Sequence, residues 1–208
     1  MIDTQDLTIR SVSVSEMDNR CYLLTCRVTG EQLLVDAADE PDTLTALLHR
    51  GSPTGRLDTV VTTHQHWDHH RALAELVDRT GARTAAGLDD ADALPVPVDV
   101  SLQHGDTVSV GQVALEVVAL RGHTPGSVAL VHRGADGSVP AFTGDSLFPG
   151  GVGNTGDDAA RFTSLIDDVE RRLFAVLPDE TVVHPGHGAP TTLGTERPHL
   201  PQWRERGW

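Results

Sequence analysis

Lysine is absent from this chain of 208 residues, and arginine supplies all 16 of its basic side chains. Without lysine the chain has no Schiff-base nucleophile and no P-loop phosphate contact. Acidic residues number 30, which gives a net charge of −14. Such a surface repels a phosphate backbone, so the composition argues against nucleic acid or a membrane as a partner and favours a small molecule.

Cysteine, aromatic residues and long apolar runs are also scarce. Cys21 and Cys26 lie in a β-type run, where residues five positions apart point to opposite faces and cannot form a disulfide. No stretch approaches the ~20 apolar residues of a membrane span, and the first residues lack the basic and apolar regions of a signal peptide. We therefore expect a cytoplasmic protein, a monomer or homodimer, with residues 1–208 forming one domain.

Histidine is abundant by contrast, with 11 residues. Four of them lie between His64 and His70, where a β-branched run ends and an amphipathic helical pattern begins. Residues two apart at a strand end share a side, so His64 and His66 can bind one ion. Asp68 and His69 then face a second point a few ångströms away. This spacing predicts two metal ions.

Further candidate ligands follow other predicted strands, next to glycines that let the backbone approach an ion closely. They are His123, Asp145 and His187. Asp36, at the end of a predicted strand, either orients a metal loop or caps a turn. Trp67 is expected to pack over the site rather than to bind substrate.

The remaining pattern predicts short strands in the first third, a strand and helix around the histidine cluster, and a second group of strands. A single long helix is predicted over Asp158–Leu177. No repeat or low-complexity segment is visible. The order of the elements is typical of an α+β protein with two sheets.

In type and order, the seven candidate ligands resemble the metallo-β-lactamase superfamily over nearly the whole chain. The segments Gly122–Ser127, Thr143–Phe148 and Pro185–Gly188 are most similar to its short, single-domain glyoxalase II-like (hydroxyacylglutathione hydrolase-like) members. The resemblance implies an αββα sandwich, in which two mixed sheets are flanked by helices and the metals lie at one edge. It assigns the first metal to His64, His66 and His123, the second to Asp68, His69 and His187, and a bridging position to Asp145.

The same resemblance implies a hydrolase that cleaves a thioester or ester of a small acyl-thiol conjugate. A metal-bound hydroxide, oriented by Asp68, would attack the carbonyl. Two divalent ions are expected, zinc first, with iron or manganese as alternatives. Few residues follow His187, so we expect no C-terminal helical substrate domain. Asn154 stands where relatives usually carry a basic residue that contacts the thiol cosubstrate, and it is the candidate substrate-binding residue.

Other functions stay open at this point. Persulfide dioxygenases resemble the same scaffold but use one iron held by two histidines and a carboxylate, here His64, His123 and Asp145. Hydrolysis of a β-lactam, another amide or a phosphodiester is the second alternative, although the commonest secreted β-lactamases carry cysteine at the position of Asp145. A metal-stabilised domain without turnover needs only a closed, four-ligand site, and the seven candidates exceed it.

Overall fold

The structure, a computed structural model, describes residues 1–207. Its N-terminal part forms a mixed seven-stranded sheet whose strands follow one another in chain order. The first to fourth strands pair antiparallel with their neighbours, and the fourth to seventh strands pair parallel, so the fourth strand takes part in both kinds of pairing. These strands are β1 (Ile2–Asp3), β2 (Leu7–Val14), β3 (Asn19–Cys26), β4 (Gln32–Val35), β5 (Thr59–Thr62), β6 (Arg83–Gly87) and β7 (Val100–Leu102).

The rest of the chain contributes a second mixed sheet of six strands and a short hairpin. The six strands of the sheet are β8 (Thr107–Val110), β9 (Val113–Ala119), β10 (Val128–His132), β11 (Pro140–Gly144), β14 (Val182–Pro185) and β15 (Thr191–Thr192), and the hairpin consists of β12 (Leu147–Phe148) and β13 (Gly151–Val152). The sheet order is β15-β14-β11-β10-β9-β8, and β12 pairs with β13. Only the β11–β14 pair is parallel among the described strands of this sheet.

The two sheets pack face to face over a core of apolar side chains that alternate along each strand. In β2, Leu7 and Ile9 are buried, whereas Thr8 between them is only half-buried. Tyr22 and Phe142, from opposite sheets, meet edge to face with 5.3 Å between ring centroids. This pairing joins the sheets near the centre of the core.

Helices cover the outer faces of both sheets. α1 (Pro41–Gly51) and α2 (Leu73–Thr80) bury their leucines against the first sheet. α3 (Ala159–Val169), α4 (Leu193–Glu196) and α5 (Leu200–Arg206) lie on the second sheet, where Trp203 is buried. The helix-sheet-sheet-helix layering confirms the predicted αββα sandwich.

Local sequence signals explain where the helices begin and end. Pro41 lies in the first turn of α1, where its missing N–H leaves no hydrogen bond unmade. Gly81 ends α2 with a φ of +68° and donates its N–H to the carbonyl of Val77. Asp158 caps α3, but the single long helix predicted from that residue is interrupted, because the chain continues from Val169 as a π-helical turn.

Short 3₁₀ turns complete the described elements, at Trp67–His69, Ala91–Ala93 and Arg197–His199. Within residues 1–207, no helix has the length and apolar character that crossing a bilayer requires.

Candidate metal centre

All seven predicted ligands lie at one edge of the sandwich, in loops that follow strands or, for Asp68 and His69, in the 3₁₀ turn Trp67–His69. His64 follows β5, Asp145 follows β11, and His187 follows β14. The carboxyl ends of parallel strands meet at one sheet edge, which is where open α/β sheets bind their ligands. The fold therefore brings together side chains that are far apart in sequence.

Three groups of these side chains place ligand atoms within 4.8 Å of one another. The first is made of histidines alone, and the other two combine histidine with aspartate. The groups are His64, His66 and His123; His64, His69 and Asp145; and Asp68, His69 and His187.

The all-histidine group has two buried nitrogens that lack a hydrogen-bond partner, Nε2 of His64 and Nε2 of His123. The ring of His66 lies 4.4 Å from that of His123 and 4.9 Å from that of His64, measured between centroids. A buried polar atom without a partner costs about 1–3 kcal/mol. A cation between the three rings would remove that cost, so these residues fit a metal.

The group of Asp68, His69 and His187, called the Asp68 group below, is equally compact. Nε2 of His69 lies 3.1 Å from Nε2 of His187, and the carboxylate of Asp68 lies 3.2 Å from Nε2 of His187 and 3.6 Å from Nε2 of His69. Ligands of a tetrahedral zinc ion, bound at about 2.0–2.1 Å, are separated by about 3.3 Å. The spacing of this group suits such an ion.

Asp145 lies between the all-histidine group and the Asp68 group. Its Oδ1 is 3.3 Å from Nε2 of His69, and its Oδ2 is 3.5 Å from Nε2 of His187 and 3.7 Å from Nε2 of His123. The carboxylate thus faces ligand atoms of both groups. This is the geometry of a bridging ligand.

Hydrogen bonds at the far side of each ring orient the histidines. Nδ1 of His123 lies 2.7 Å from the carbonyl oxygen of Asn154, and Nδ1 of His187 lies 2.8 Å from that of Met17. A carbonyl only accepts, so each Nδ1 carries the proton and donates it. The lone pair of each Nε2 is then left facing the centre.

Asp36 connects two further ligands. Its carboxylate accepts from Nδ1 of His69 at 2.9 Å, and from the N–H and hydroxyl of Thr63 at 2.7 and 2.9 Å. Because the Thr63 hydroxyl donates to Asp36, it accepts from Nδ1 of His64 at 3.0 Å. Of the two roles that the sequence left open for Asp36, orientation of the metal loop is therefore the one that the contacts support.

Burial and ion pairing shift the pKa values of the predicted ligands. Burial, with neighbouring histidines, lowers the pKa of His64 well below its usual value, and burial also lowers the pKa of His123. Burial alone would raise the pKa of Asp145, but its contact with His69 outweighs burial and lowers it. The reciprocal contacts with Asp145 and Asp36 raise the pKa of His69 against the effect of burial. His64 and His123 are therefore neutral imidazoles, the form that binds a metal, whereas His69 holds a proton that a bound cation would displace.

Glycine is required where the loops touch the centre. A Cβ added to Gly186 would lie 2.3 Å from Oδ1 of Asp145 and 2.6 Å from Cε1 of His69. A Cβ added to Gly153 would lie 1.8 Å from the carbonyl oxygen of Asp145. A larger residue at Gly186 would displace the carboxylate of Asp145, and one at Gly153 would displace its backbone.

Two further residues, Trp67 and Asn19, lie next to the ligands of the centre. Trp67, expected to pack over the site, has a side chain that is 61% exposed, with the guanidinium of Arg71 4.2 Å from its ring centroid. Asn19 was not predicted, yet its side-chain amide donates to Asp68 at 3.0 Å and lies 3.4 Å from Nε2 of His187. No local pattern singles out this asparagine at the start of β3.

Asn154, the predicted substrate contact, lies on the rim of the centre. Its carbonyl accepts from His123, while its exposed side chain accepts from the N–H of Gly156 at 2.6 Å. The contact to the centre is therefore made by backbone, and the side chain faces solvent.

Comparison with known proteins agrees with this geometry. A model of the metallo-β-lactamase superfamily matches residues 16–187, a range that contains all seven candidate ligands. The chain is 38% identical over 172 residues to the hydroxyacylglutathione hydrolase of Fuscovulum blasticum, a match that covers 82% of this chain and 62% of that protein. The chain thus spans less than two thirds of this relative's length.

Solved structures share the fold. The ETHE1 structure from Myxococcus xanthus is 30% identical with a TM-score of 0.80, covering 95% of this chain and 85% of that one. TTHA1623 in a di-iron-bound form is 31% identical with a TM-score of 0.72, covering 90% of this chain and 96% of that one. The second structure is a relative that holds two metal ions.

Proposed function

Because this chain belongs to the metallo-β-lactamase superfamily, we propose that it is a metal-dependent hydrolase that cleaves a thioester or ester of a small acyl-thiol conjugate. The observation that carries the proposal is the position of Asp145, whose carboxylate faces the all-histidine group and the Asp68 group together. The similarity to hydroxyacylglutathione hydrolases supports the choice of substrate class.

We assign the ligands as the geometry groups them. A first cation would be held by His64, His66 and His123 and a second by Asp68, His69 and His187, and the carboxylate of Asp145 would be shared between them. When bound, two divalent cations lower the pKa of a shared water and polarise the substrate carbonyl. Zinc suits the mixed nitrogen and oxygen ligands, and iron is supported by the di-iron relative.

Asp68 is the residue that we propose orients the attacking water. The amide of Asn19 holds its carboxylate by a 3.0 Å hydrogen bond. Burial would raise the pKa of Asp68, but this hydrogen bond and the charge of His69 outweigh burial and lower it. The carboxylate is therefore ionised at neutral pH and can accept a proton from the water. A thiolate leaves without a general acid, because thiol pKa values lie near 8.5.

The substrate surface that we propose is formed by exposed side chains beside the ligands. Trp67 follows the ligand His66, and Met17, which is 47% exposed, belongs to the peptide that orients His187. Arg71 lies over Trp67 and also contacts the sulfur of Met17 at 3.4 Å. Exposed apolar groups next to a polar centre are typical of a binding surface. We propose that they contact the part of the substrate away from the thioester.

Asn154 is a second proposed substrate contact. Its side chain is exposed beside the loop that presents His123. An uncharged side chain at this place recognises a thiol carrier by hydrogen bonds rather than by charge. We therefore expect the thiol carrier to bind here without a carboxylate paired to a basic side chain, in contrast to relatives that carry a basic residue at this position.

The similarity to hydroxyacylglutathione hydrolases favours hydrolysis over the iron dioxygenase alternative. A mononuclear iron site needs only two histidines and a carboxylate. Here His69, His187 and Asp68 lie within 3.1 to 3.6 Å of one another, which offers a second cation a complete set of ligands.

Metal analysis and a thioesterase assay test the proposal together. The purified protein is expected to hold two equivalents of a divalent metal and to release free thiol from S-lactoylglutathione or a simpler thioester. Asp145→Ala should lose at least one equivalent and most of the activity, whereas Asp78→Ala, an exposed carboxylate on α2, should change neither. Less than one equivalent of metal in the wild type, or equal rates in wild type and Asp145→Ala, would contradict it. Oxygen uptake with a thiol persulfide, together with a single iron, would favour the dioxygenase.

A further inference from the structure

Asp90 is a buried carboxylate next to the metal centre that is not one of its ligands. It lies just beyond β6, before the 3₁₀ turn at Ala91–Ala93, and only 1% of its surface is exposed. Burying a charged carboxylate is expensive unless hydrogen bonds replace its water. The hydrogen-bond donors around Asp90 therefore indicate which segments its carboxylate positions.

Three donors converge on this carboxylate. Oδ2 accepts the N–H of Gln65 at 3.0 Å and the hydroxyl of Thr124 at 2.5 Å. Oδ1 accepts the N–H of Gly126 at 2.7 Å. Two of the donors are backbone groups, so Asp90 fixes the path of the chain and not only a side chain.

The donors belong to the two loops that carry the all-histidine group. Gln65 lies between His64 and His66, and Thr124 directly follows His123. Asp90 thus ties together the loops from which all three histidines of that group project.

Close backbone packing accompanies the hydrogen bonds. A Cβ on Gly126 would lie 2.4 Å from the backbone nitrogen of Asp90, and a Cβ on Gly87 would lie 1.8 Å from the carbonyl oxygen of Gly126. Glycine at both positions lets the loop that bears Asp90 sit directly on the loop that follows His123. The hydrogen bonds therefore form between segments that are already in contact.

The Asp68 group is held by other residues. Asn19 contacts Asp68 and His187, and the carbonyl of Met17 orients His187. None of the hydrogen bonds described for Asp90 reaches these ligands.

We infer that Asp90 is a positioning residue that preorganises the all-histidine half of the centre, separately from the half that contains Asp68. The inference rests on the proposed metal occupancy and extends it, since it gives the all-histidine half a support of its own, in addition to Asp36, which contacts His69 directly and His64 through Thr63. Groups that orient metal ligands typically change metal affinity ten- to 100-fold when they are removed.

Asp90→Asn is the sharpest variant, because it keeps the shape and changes the hydrogen bonding. An amide has a single acceptor oxygen, so its NH₂ group must face either the N–H of Gly126 or the two donors on Oδ2. Asp92→Asn is the matched control, since Asp92 lies in the same segment and is exposed. Thr124→Val is a milder variant that removes only the hydroxyl.

The measurement is zinc affinity, determined by chelator competition for both equivalents, with the thermal stability of the metal-free protein recorded alongside. Asp90→Asn is expected to weaken one equivalent ten- to 100-fold and to leave the other within about two-fold. Thr124→Val should weaken the same equivalent by less, and Asp92→Asn should change nothing. Asn19→Ala should weaken the other equivalent, and a variant with both Asp90→Asn and Asn19→Ala should weaken both.

Three results would overturn the inference. In the first, the metal-free Asp90→Asn protein is destabilised while both zinc affinities stay unchanged, which is a purely structural role. In the second, both equivalents weaken equally. In the third, Asp90→Asn does not fold and Thr124→Val leaves both affinities unchanged. A wild-type protein that binds no metal would instead overturn the proposed function, and it is recognised before any variant is made.

Discussion

The Nε2 atoms of His69 and His187 lie 3.1 Å apart, although 118 positions separate the two residues in the chain. Each ring is fixed from behind, His69 by Asp36 and His187 by the carbonyl of Met17. The raised pKa of His69 places a proton between the two nitrogens, and a cation bound there would displace it. A cation at that point would be held by both rings and would stabilise the fold.

Removal of metal is expected to destabilise the folded protein. A ligand that binds only the native state adds about 4 kcal/mol of stability when its concentration is 1,000 times Kd. Thermal unfolding followed with and without a chelator should therefore show a large fall in Tm. Excess zinc should restore it, whereas magnesium should not, because it prefers oxygen ligands in octahedral geometry. An unchanged Tm after complete metal removal would speak against the assigned ligands.

Gly186→Ala is expected to disable the centre without unfolding the protein. The added methyl group would lie 2.3 Å from Oδ1 of Asp145, so that carboxylate must move. We expect the loss of about one metal equivalent and at least a 100-fold fall in kcat/KM for a thioester, which corresponds to about 2.7 kcal/mol. Gly81→Ala is the control, because a methyl group added at Gly81 would meet no atom within 4 Å. That control should lose about 1 kcal/mol of stability from its left-handed backbone and keep its metal.

Protonation of His184 is expected to weaken the fold in acid. This ring is buried between Tyr22 and Phe142, and burial lowers its pKa from 6.5 to about 4. Above pH 6.5 the ring is neutral in both states. As the pH falls from 6.5 to 4, only the unfolded chain gains the proton, so the free energy of unfolding falls by about 3 kcal/mol in total.

Urea unfolding at pH 7.5 and pH 5.0 measures this loss, of which about 2 kcal/mol should already be present at pH 5. Between the two pH values, the free energy of unfolding of His184→Leu should fall by about 2 kcal/mol less than that of the wild type. His104→Gln, which alters an exposed histidine, should behave like the wild type. Parallel pH dependence in wild type and His184→Leu would exclude the buried histidine as the cause.

Trp67→Ala is expected to weaken substrate binding and not catalysis. Its ring is 61% exposed and is not among the ligand groups, so its loss should leave the metal content and kcat close to those of the wild type. If the ring contacts the remote part of the substrate, KM should rise several-fold, since interactions equal in ground and transition states affect KM alone. Val176→Ala, which removes another exposed apolar side chain, should leave KM unchanged. A fall in kcat with constant KM would place Trp67 in a different role.

Much of the fold could be predicted from local pattern. The alternation in β2 and the leucine spacing in α1 indicated the elements that the structure contains. The interruption of the predicted long helix at Val169 could not be predicted, because its apolar spacing continues through Phe174 whether the turn is α or π. The exposure of Trp67 could not be predicted for a related reason, since an aromatic residue between ligands has the same sequence pattern whether it is buried or exposed.

The sequence by itself determined the kinds of ligand and the local pair His64 and His66, because side-chain direction over a few residues follows directly from strand geometry. Only the tertiary structure decided that Asp145 and His187 join them, and that Asp90 supports the histidine loops. These contacts depend on how the two sheets pair and on the paths of loops far apart in sequence. No local pattern encodes such distances, because they are set by the packing of the whole core.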